Sequence, residues 1–414
     1  MATVFDYIDK YKETFLEKEF NEIDNLIFTR FAYIKFDGII KKDERIYLID
    51  AYKRYMLEEP ITFDKDSVTL FEKMAYSPRY KDLVIGNYES ITCKDLEEQF
   101  AAITIYLPDE SMYIAFRGTD SSLVGIKEDF NMTYMVHIPS QKDSVKYLIN
   151  VSKDNDYKIR VGGHSKGGNL AMYASVFCNK ECRDKIIGIY NVDGPGFFNE
   201  ILESNEYKEI LNRTYTYVPQ TSIIGMLLYH EEECIVVKSN KSLIMQHDVL
   251  SWEVNDEKLV RLNTVNKKSK YIDDVMSSLL LLPTEDKKRF FDIFYQILSS
   301  TGAKTMKDLS QAKIKSIKDI LENYKKLNEE DKKIFIKVWK EIIKTAKTNI
   351  SNYLPLKKDK VQWKRIHSNP FYRLCGFPPG PPGPPWPPIE VLPTDVEIEL
   401  IVNVEYSSSS TFIV

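Results

Sequence analysis

No stretch of the sequence is apolar for long enough to cross a bilayer. Runs such as Leu279 to Leu282 and Ile223 to Leu228 fall far short of the roughly 20 residues a spanning helix needs. The opening Met1-Ala2-Thr3-Val4-Phe5-Asp6-Tyr7 lacks both a basic segment and an apolar one, so no signal peptide is expected. Charge of one sign is missing too. Lys+Arg 57 against Asp+Glu 61 leaves a net charge of -4, which gives no bulk attraction for nucleic acid. Cysteine is scarce and odd in number, five in 414 residues, which excludes a disulfide framework. Cys178 and Cys182 are spaced to clip a metal, but no further ligands stand near them, so they read as buried thiols. No metal or organic cofactor is expected, and the protein is expected to be soluble and cytoplasmic.

What is present is the composition of a folded globular chain, 43% hydrophobic and 12% aromatic, long enough for one large core and a smaller unit beside it. Glycine is also sparse, 16 in all, yet Gly162, Gly163, Gly167 and Gly168 stand close around Ser165. The stretch from Lys158 to Ala171 runs from β-prone residues into Gly163-His164-Ser165-Lys166-Gly167 and on into helix formers through Phe177. This is the G-x-S-x-G nucleophile elbow, a strand, a sharp turn and a helix that together present a serine hydroxyl above a parallel sheet. Gly163 and Gly167 are required because a Cβ at either place would strike the neighbouring backbone.

The rest of the chain supplies the sheet. Residues 1 to about 60 read as helices, with Tyr7, Tyr11 and Phe15, then Ile23, Ile27 and Phe31, at helical spacing. Phe100 to Leu107 and Met112 to Phe116 read as a hairpin whose second strand runs into Arg117-Gly118-Thr119-Asp120. Asp129 and Asn131 follow in a polar loop, and Val145, Leu148 and Ile149 mark a helix. Ile186 to Val192 is a continuous apolar run of the kind buried inside a parallel sheet. Thr214 to Val218 and Cys234 to Val237 are two more strands, and Ser242 to Asp248 is a loop. This alternation predicts an α/β fold, a mostly parallel sheet flanked by helices. No strand is evident beyond about 266. Three helices are predicted there, around Phe290 to Leu298, Ile314 to Leu321 and Phe335 to Ile342. The expected units are an α/β-hydrolase-like domain over 1–265, a helical region over 266–355 and a Pro-rich linker and tail over 356–414. Two Gly-Pro-Pro units between Pro379 and Pro385 form a stiff polyproline II linker, which could dock an aromatic groove of a protein partner. Val396 to Val404 alternates like one further strand.

A serine needs a base, normally a histidine oriented by a carboxylate. His164 lies in the elbow and points away, His137 precedes the serine, and His367 is next to the tail. His230 and His247 remain, and His247, on the loop after the last strand of the sheet, is the preferred base. Thr119 and Lys166 are placed to supply the two N–H groups of an oxyanion hole.

With these residues placed, the chain resembles class 3 lipases in Phe116-Arg117-Gly118-Thr119 and in the elbow. More closely it resembles the bacterial Mbeg1-like family of α/β-hydrolases. The shared stretches are Gln99 to Thr104, Phe116 to Asp120, Glu128 to Asn131, the elbow, Asp193-Gly194-Pro195-Gly196, Ser222 to Met226 and Gln246-His247-Asp248. Where class 3 lipases carry the triad aspartate, this chain reads Val218-Pro219-Gln220-Thr221-Ser222, with no carboxylate. Asp193, at the end of the preceding strand, is the natural replacement, while Asp248, next to His247, would have awkward geometry. The resemblance implies a lipase- or esterase-like serine hydrolase with Ser165, His247 and Asp193 as its triad, acting on a small-molecule acyl or lipid substrate. A non-catalytic binding protein on the same scaffold is the alternative that the missing carboxylate favours, and an acyltransferase or thioesterase shares every residue named.

Overall fold

The computed structural model describes residues 2–353 apart from Lys42, 59–64, Asp154, 267–275 and Lys313. The Pro-rich segment, the 396–404 stretch and His367 lie outside the described residues. An eight-stranded sheet forms the centre, with its strands side by side in chain order. They are β1 (Arg45–Tyr47), β2 (Val84–Cys93), β3 (Glu98–Tyr106), β4 (Ser111–Phe116), β5 (Lys158–His164), β6 (Ile186–Val192), β7 (Thr214–Pro219) and β8 (Cys234–Val237). From β1 to β4 the pairings are antiparallel, and from β4 to β8 they are parallel. A two-stranded hairpin, β9 (Val254–Asn255) and β10 (Lys258–Leu259), forms a separate ladder whose flanking residues bond to the β8 edge.

Chain order decides how the helices are distributed. When parallel strands add one after another in the same direction, right-handed crossovers all fall on one face. That face carries α6 (Pro139–Ser152), α7 (Lys166–Phe177), α8 (Lys180–Lys185), α9 (Asn199–Leu202) and α10 (Asn205–Ile210). The other face would be bare, and α1 (Val4–Lys10), α2 (Glu22–Phe31), α3 (Leu48–Leu57) and α4 (Lys65–Tyr76) cover it. The alternation of β4 feeds both layers: Met112, Ile114 and Phe116 enter the core with α6 and α7, and Tyr113 and Ala115 the core with the N-terminal helices. This is an α/β-hydrolase-like architecture with a helical region after it.

Several parts of the sheet domain differ from expectation. Arg45–Tyr47, within the residues read as helical, is the edge strand β1, placed by its antiparallel pairing with β2. β2 extends the predicted hairpin into an antiparallel wing; its own pattern is hidden by polar residues such as Asn87, Glu89 and Ser90 and by a register shift between Gly86 and Glu89. Asp129 and Asn131 lie not in a loop but in α5 (Leu123–Asn131). The Ser122 hydroxyl caps that helix by accepting the Gly125 amide at 3.1 Å, and Leu123, Ile126 and Phe130 line its apolar side. The segment that carries His247 is also tighter than a plain loop, a 3-10 turn over Leu243–His247.

The C-terminal helices are α11 (Thr284–Ser299), α12 (Met306–Ala312), α13 (Ile314–Lys326) and α14 (Glu329–Tyr353). Of these α12 was not anticipated. The acidic starts at Glu285 and Glu329 open helices as their charges predict. Phe290, Phe291, Ile293 and Ile297 of α11 and Phe335 and Val338 of α14 join Leu123, Ile126 and Phe130 of α5 in a third core. The helical region is therefore docked on the helix that directly follows Thr119.

Candidate active site

Parallel register brings the chemistry to one edge of the sheet. Phe116 is opposite Gly163, and His164 is opposite Val192. The residues that follow, Arg117 to Thr119, Ser165 and Asp193, thus emerge beside one another at the C-terminal ends of β4, β5 and β6. The Ser165 amide donates to the Val192 carbonyl at 2.9 Å and the Asp193 amide to the Tyr217 carbonyl at 2.7 Å, which holds the strand tips together one residue beyond the ladder.

Ser165 has φ 58° and ψ -134°, a conformation that side chains other than glycine rarely adopt. The turn is sustained by close backbone contact: an added Cβ on Gly163 would collide with the Gly167 carbonyl, and one on Gly167 with the Phe116 carbonyl oxygen. Ser165 is half-buried between fully buried neighbours. Immediately after it α7 begins, so the Lys166 amide is one of the helix's unpaired first N–H groups.

His247 and Asp193 meet. Their side chains are buried, and His247 Nδ1 lies 2.7 Å from Asp193 Oδ2. A carboxylate can only accept, so Nδ1 carries the proton and the lone pair is left on Nε2. The other oxygen, Oδ1, accepts the Ser222 hydroxyl at 2.6 Å and the Gly225 amide at 3.2 Å. The segment that lacks a carboxylate of its own therefore supplies a donor to Asp193 from its last residue, Ser222. From the opposite side α7 secures the same loop: Asn169 Nδ2 donates to the Pro195 and Gly196 carbonyls at 3.1 and 2.9 Å. Asp248 is engaged elsewhere. It pairs with Lys241 at 2.7 Å and caps the next turn through the Leu250 amide.

The remaining histidines sort themselves by contact. His230 Nδ1 is 2.8 Å from Glu232, which also receives the hydroxyls of Tyr207 and Thr216. Burial alone would raise the Glu232 carboxyl, but these partners outweigh it and hold it down at about 2. His137 Nδ1 meets the Tyr173 hydroxyl at 2.8 Å. His164, set aside from the sequence because it points away from Ser165, has a part of its own. Its Nε2 donates to the His247 carbonyl at 2.7 Å, and because that carbonyl can only accept, Nδ1 is the acceptor for the Tyr33 hydroxyl at 3.0 Å. The two imidazoles lie 4.3 Å apart. Burial and the neighbouring His247 push the His164 pKa well down, so this ring is a neutral strut. No sequence pattern marks Tyr33, which lies 131 residues from its partner.

At the adjoining strand tip, Thr119 Oγ1 donates to Asp129 Oδ1 at 2.6 Å. With its only proton committed, the Thr119 hydroxyl has none to offer a substrate, and the backbone N–H is the donor that remains. Burial pushes the Asp129 carboxyl up to about 6, partly offset by the Lys166 ammonium and by Thr119. Lys166 itself turns its side chain inward, to Glu128 at 2.6 Å. Cys178 and Cys182 are buried free thiols, and no group of residues able to hold a metal occurs among the described residues. No helix among them is long and apolar enough to cross a membrane.

The sequence profile of the Mbeg1-like family matches residues 74–296, more than half of the chain and every strand tip just described. The chain belongs to the Mbeg1-like family. Among solved structures it is similar to one described as a crystal structure of M37 lipase, at 16% identity and a TM-score of 0.31, over 49% of this chain and 68% of that one. No functionally curated protein matches it.

Proposed function

We propose that this Mbeg1-like protein is a serine hydrolase that cleaves an ester or related acyl bond. The observation that carries the reading is the 2.7 Å contact of His247 Nδ1 with Asp193, on the sheet edge where Ser165 stands at a positive φ. Ser165 Oγ attacks the acyl carbonyl while His247 Nε2 takes its proton, and Asp193 keeps the imidazole in the tautomer that can do so. The Thr119 and Lys166 amides hold the oxyanion. His247 then returns the proton to the leaving group, and a water molecule, activated by the same nitrogen, releases the acid. The substrate class is a small acyl ester or lipid. On this reading residues 1–265 are the hydrolase unit, 266–355 a helical unit resting on it, and 356–414 a tail available to a protein partner.

The test is covalent labelling of the purified protein with a fluorophosphonate, followed by p-nitrophenyl esters of graded chain length. Ser165→Ala should abolish labelling with an unchanged circular dichroism spectrum. Asp193→Asn should keep its melting temperature within a few degrees and lose up to about 10⁴ in kcat, since the amide enforces the wrong imidazole tautomer. Wild-type protein that never labels or turns over would replace this reading with a binding protein on a hydrolase scaffold.

A further inference from the structure

The residue after the nucleophile carries a charge that reaches no substrate. The Lys166 side chain is 1% exposed and its partner Glu128 0%. Nζ sits 2.6 Å from Glu128 Oε2, 2.8 Å from the Gln99 carbonyl and 3.3 Å from Gln99 Oε1. Glu128 in turn accepts the Gln99 amide on Oε2 at 3.0 Å and the Ser140 amide on Oε1 at 2.9 Å. All three ammonium protons and both carboxylate oxygens have partners. The pair ties together the first residue of α7, the start of β3, the N-terminal turn of α6 and the helix α5.

Stability alone is a poor account of such a pair. Desolvating two charges costs several kcal/mol each, and well-packed neutral residues of similar volume often serve a fold as well or better. Its position is more telling. Lys166 bears one of the two N–H groups of the proposed oxyanion hole. Glu128 lies on α5, directly after the loop that bears the other, and its neighbour Asp129 grips the Thr119 side chain. Donors in such a hole must stand about 2.7–3.1 Å from the developing charge, and a misplacement of about 1 Å can cost 100-fold in rate.

We propose that the Lys166–Glu128 ion pair is a positioning device that fixes the Lys166 amide relative to the Thr119 amide, and so sets the width of the oxyanion hole. This rests on Ser165 being the nucleophile. Substrate touches neither side chain, so the pair acts on the acylation step and leaves ground-state binding alone.

The decisive variant removes both charges. Lys166→Met alone strands a buried carboxylate and is expected to unfold much of the protein, whereas Lys166→Met with Glu128→Gln leaves no bare charge. That double variant loses one of the two acceptors that receive the Gln99 and Ser140 amides, so it should fold but melt lower than wild type, react with a fluorophosphonate about 10- to 100-fold more slowly, and show the same loss in kcat with KM changed less than three-fold. If it does not fold, Glu128→Asp replaces it, keeping both charges and shortening the tether by one methylene; about a 10-fold loss in kcat at constant KM is expected. A folded variant of either kind that labels and turns over at the wild-type rate overturns the proposal, as does a loss seen in KM alone. Wild-type protein inert to both probes fails differently, by removing the nucleophile on which the proposal rests.

Discussion

A carboxyl group that is harder to ionise in the folded chain than in the unfolded one leaves a signature in stability, and Asp129 is such a group. In the unfolded chain an aspartate titrates near 3.9; in the fold burial pushes Asp129 up to about 6. Between those two values the folded state holds the extra proton. Its contribution to stability is therefore greatest at low pH, declines as pH rises through roughly 4 to 6, and stays lost above. Asp129→Asn removes the ionisation and keeps an acceptor for the Thr119 hydroxyl. The variant should gain on wild type across that window, by on the order of 1–2 kcal/mol once solvent near the carboxyl is allowed for. Melting temperatures of both proteins from pH 4 to 8 check this; a constant difference would mean that Asp129 does not titrate there. Burial acts on a neighbouring base in the same sense, toward the uncharged form, which for an imidazole means a lowered pKa. His164 is driven to its neutral form, which suits a ring whose one proton is needed by the His247 carbonyl.

At the scale of elements, α5 is the piece that faces two ways. One side presents Glu128 and Asp129 to the strand tips. The other presents Phe130, stacked on Phe291 of α11 with centroids 4.4 Å apart and planes 16° off parallel, and Lys127, paired with Asp292 at 2.7 Å. Backbone bonds add to this, from the Leu123 amide to the Lys304 carbonyl and from the Met306 amide to the Ser121 carbonyl. Removing the buried ring with Phe291→Ala should cost about 3–5 kcal/mol where the helical region docks. Because α5 is shared, fluorophosphonate labelling should slow as well, although Phe291 is in the third core and not at the strand tips. Urea unfolding followed alongside the labelling rate tests both effects. A large stability loss with unaltered labelling would show that the helices α11 to α14 merely sit on the site without shaping it. α5 was not legible as a helix, because Asp129 and Asn131 read as loop chemistry. Each is polar for a partner on another element, which periodicity does not report.

The whole molecule is organised as one sheet with two unlike layers. The layer on the crossover face follows from chain connectivity. The N-terminal layer has no connectivity to dictate its place; packing and hydrogen bonds such as that from the Tyr113 hydroxyl to Asn25 at 2.6 Å hold it to the sheet, and a buried ion pair joins its own helices. Arg79, just after α4, meets Asp24 of α2 at 2.9 and 2.6 Å with neither side chain exposed, and also donates to the carbonyls of Glu13, Lys18 and Glu19. Arg79→Met leaves the Asp24 charge buried with only the Tyr80 hydroxyl and the capping contacts around it, and should destabilise the protein by about 3–5 kcal/mol. Chemical denaturation is the measurement. A cost under about 1 kcal/mol would mean that apolar packing joins the helices of this layer without help from the ion pair.

What the sequence by itself determined is local. The elbow is legible because its constraints span a few residues: Gly163 and Gly167 are demanded by backbone contacts inside one turn, and the β-prone and helical runs on either side are adjacent in the chain. The apolar strands of the parallel sheet are legible for the same reason, since a strand buried on both faces advertises itself without reference to its neighbours. Tertiary structure decided the partners. The meeting of Asp193 and His247 across a separation of 54 positions, the register that sets Ser165 beside Asp193, the strut from Tyr33 through His164, and the inward turn of Lys166 toward Glu128 depend on which strands pair and which helices land on which face. A polar residue in a sequence states what it can bond. Only the fold brings the complementary group within 3 Å of it.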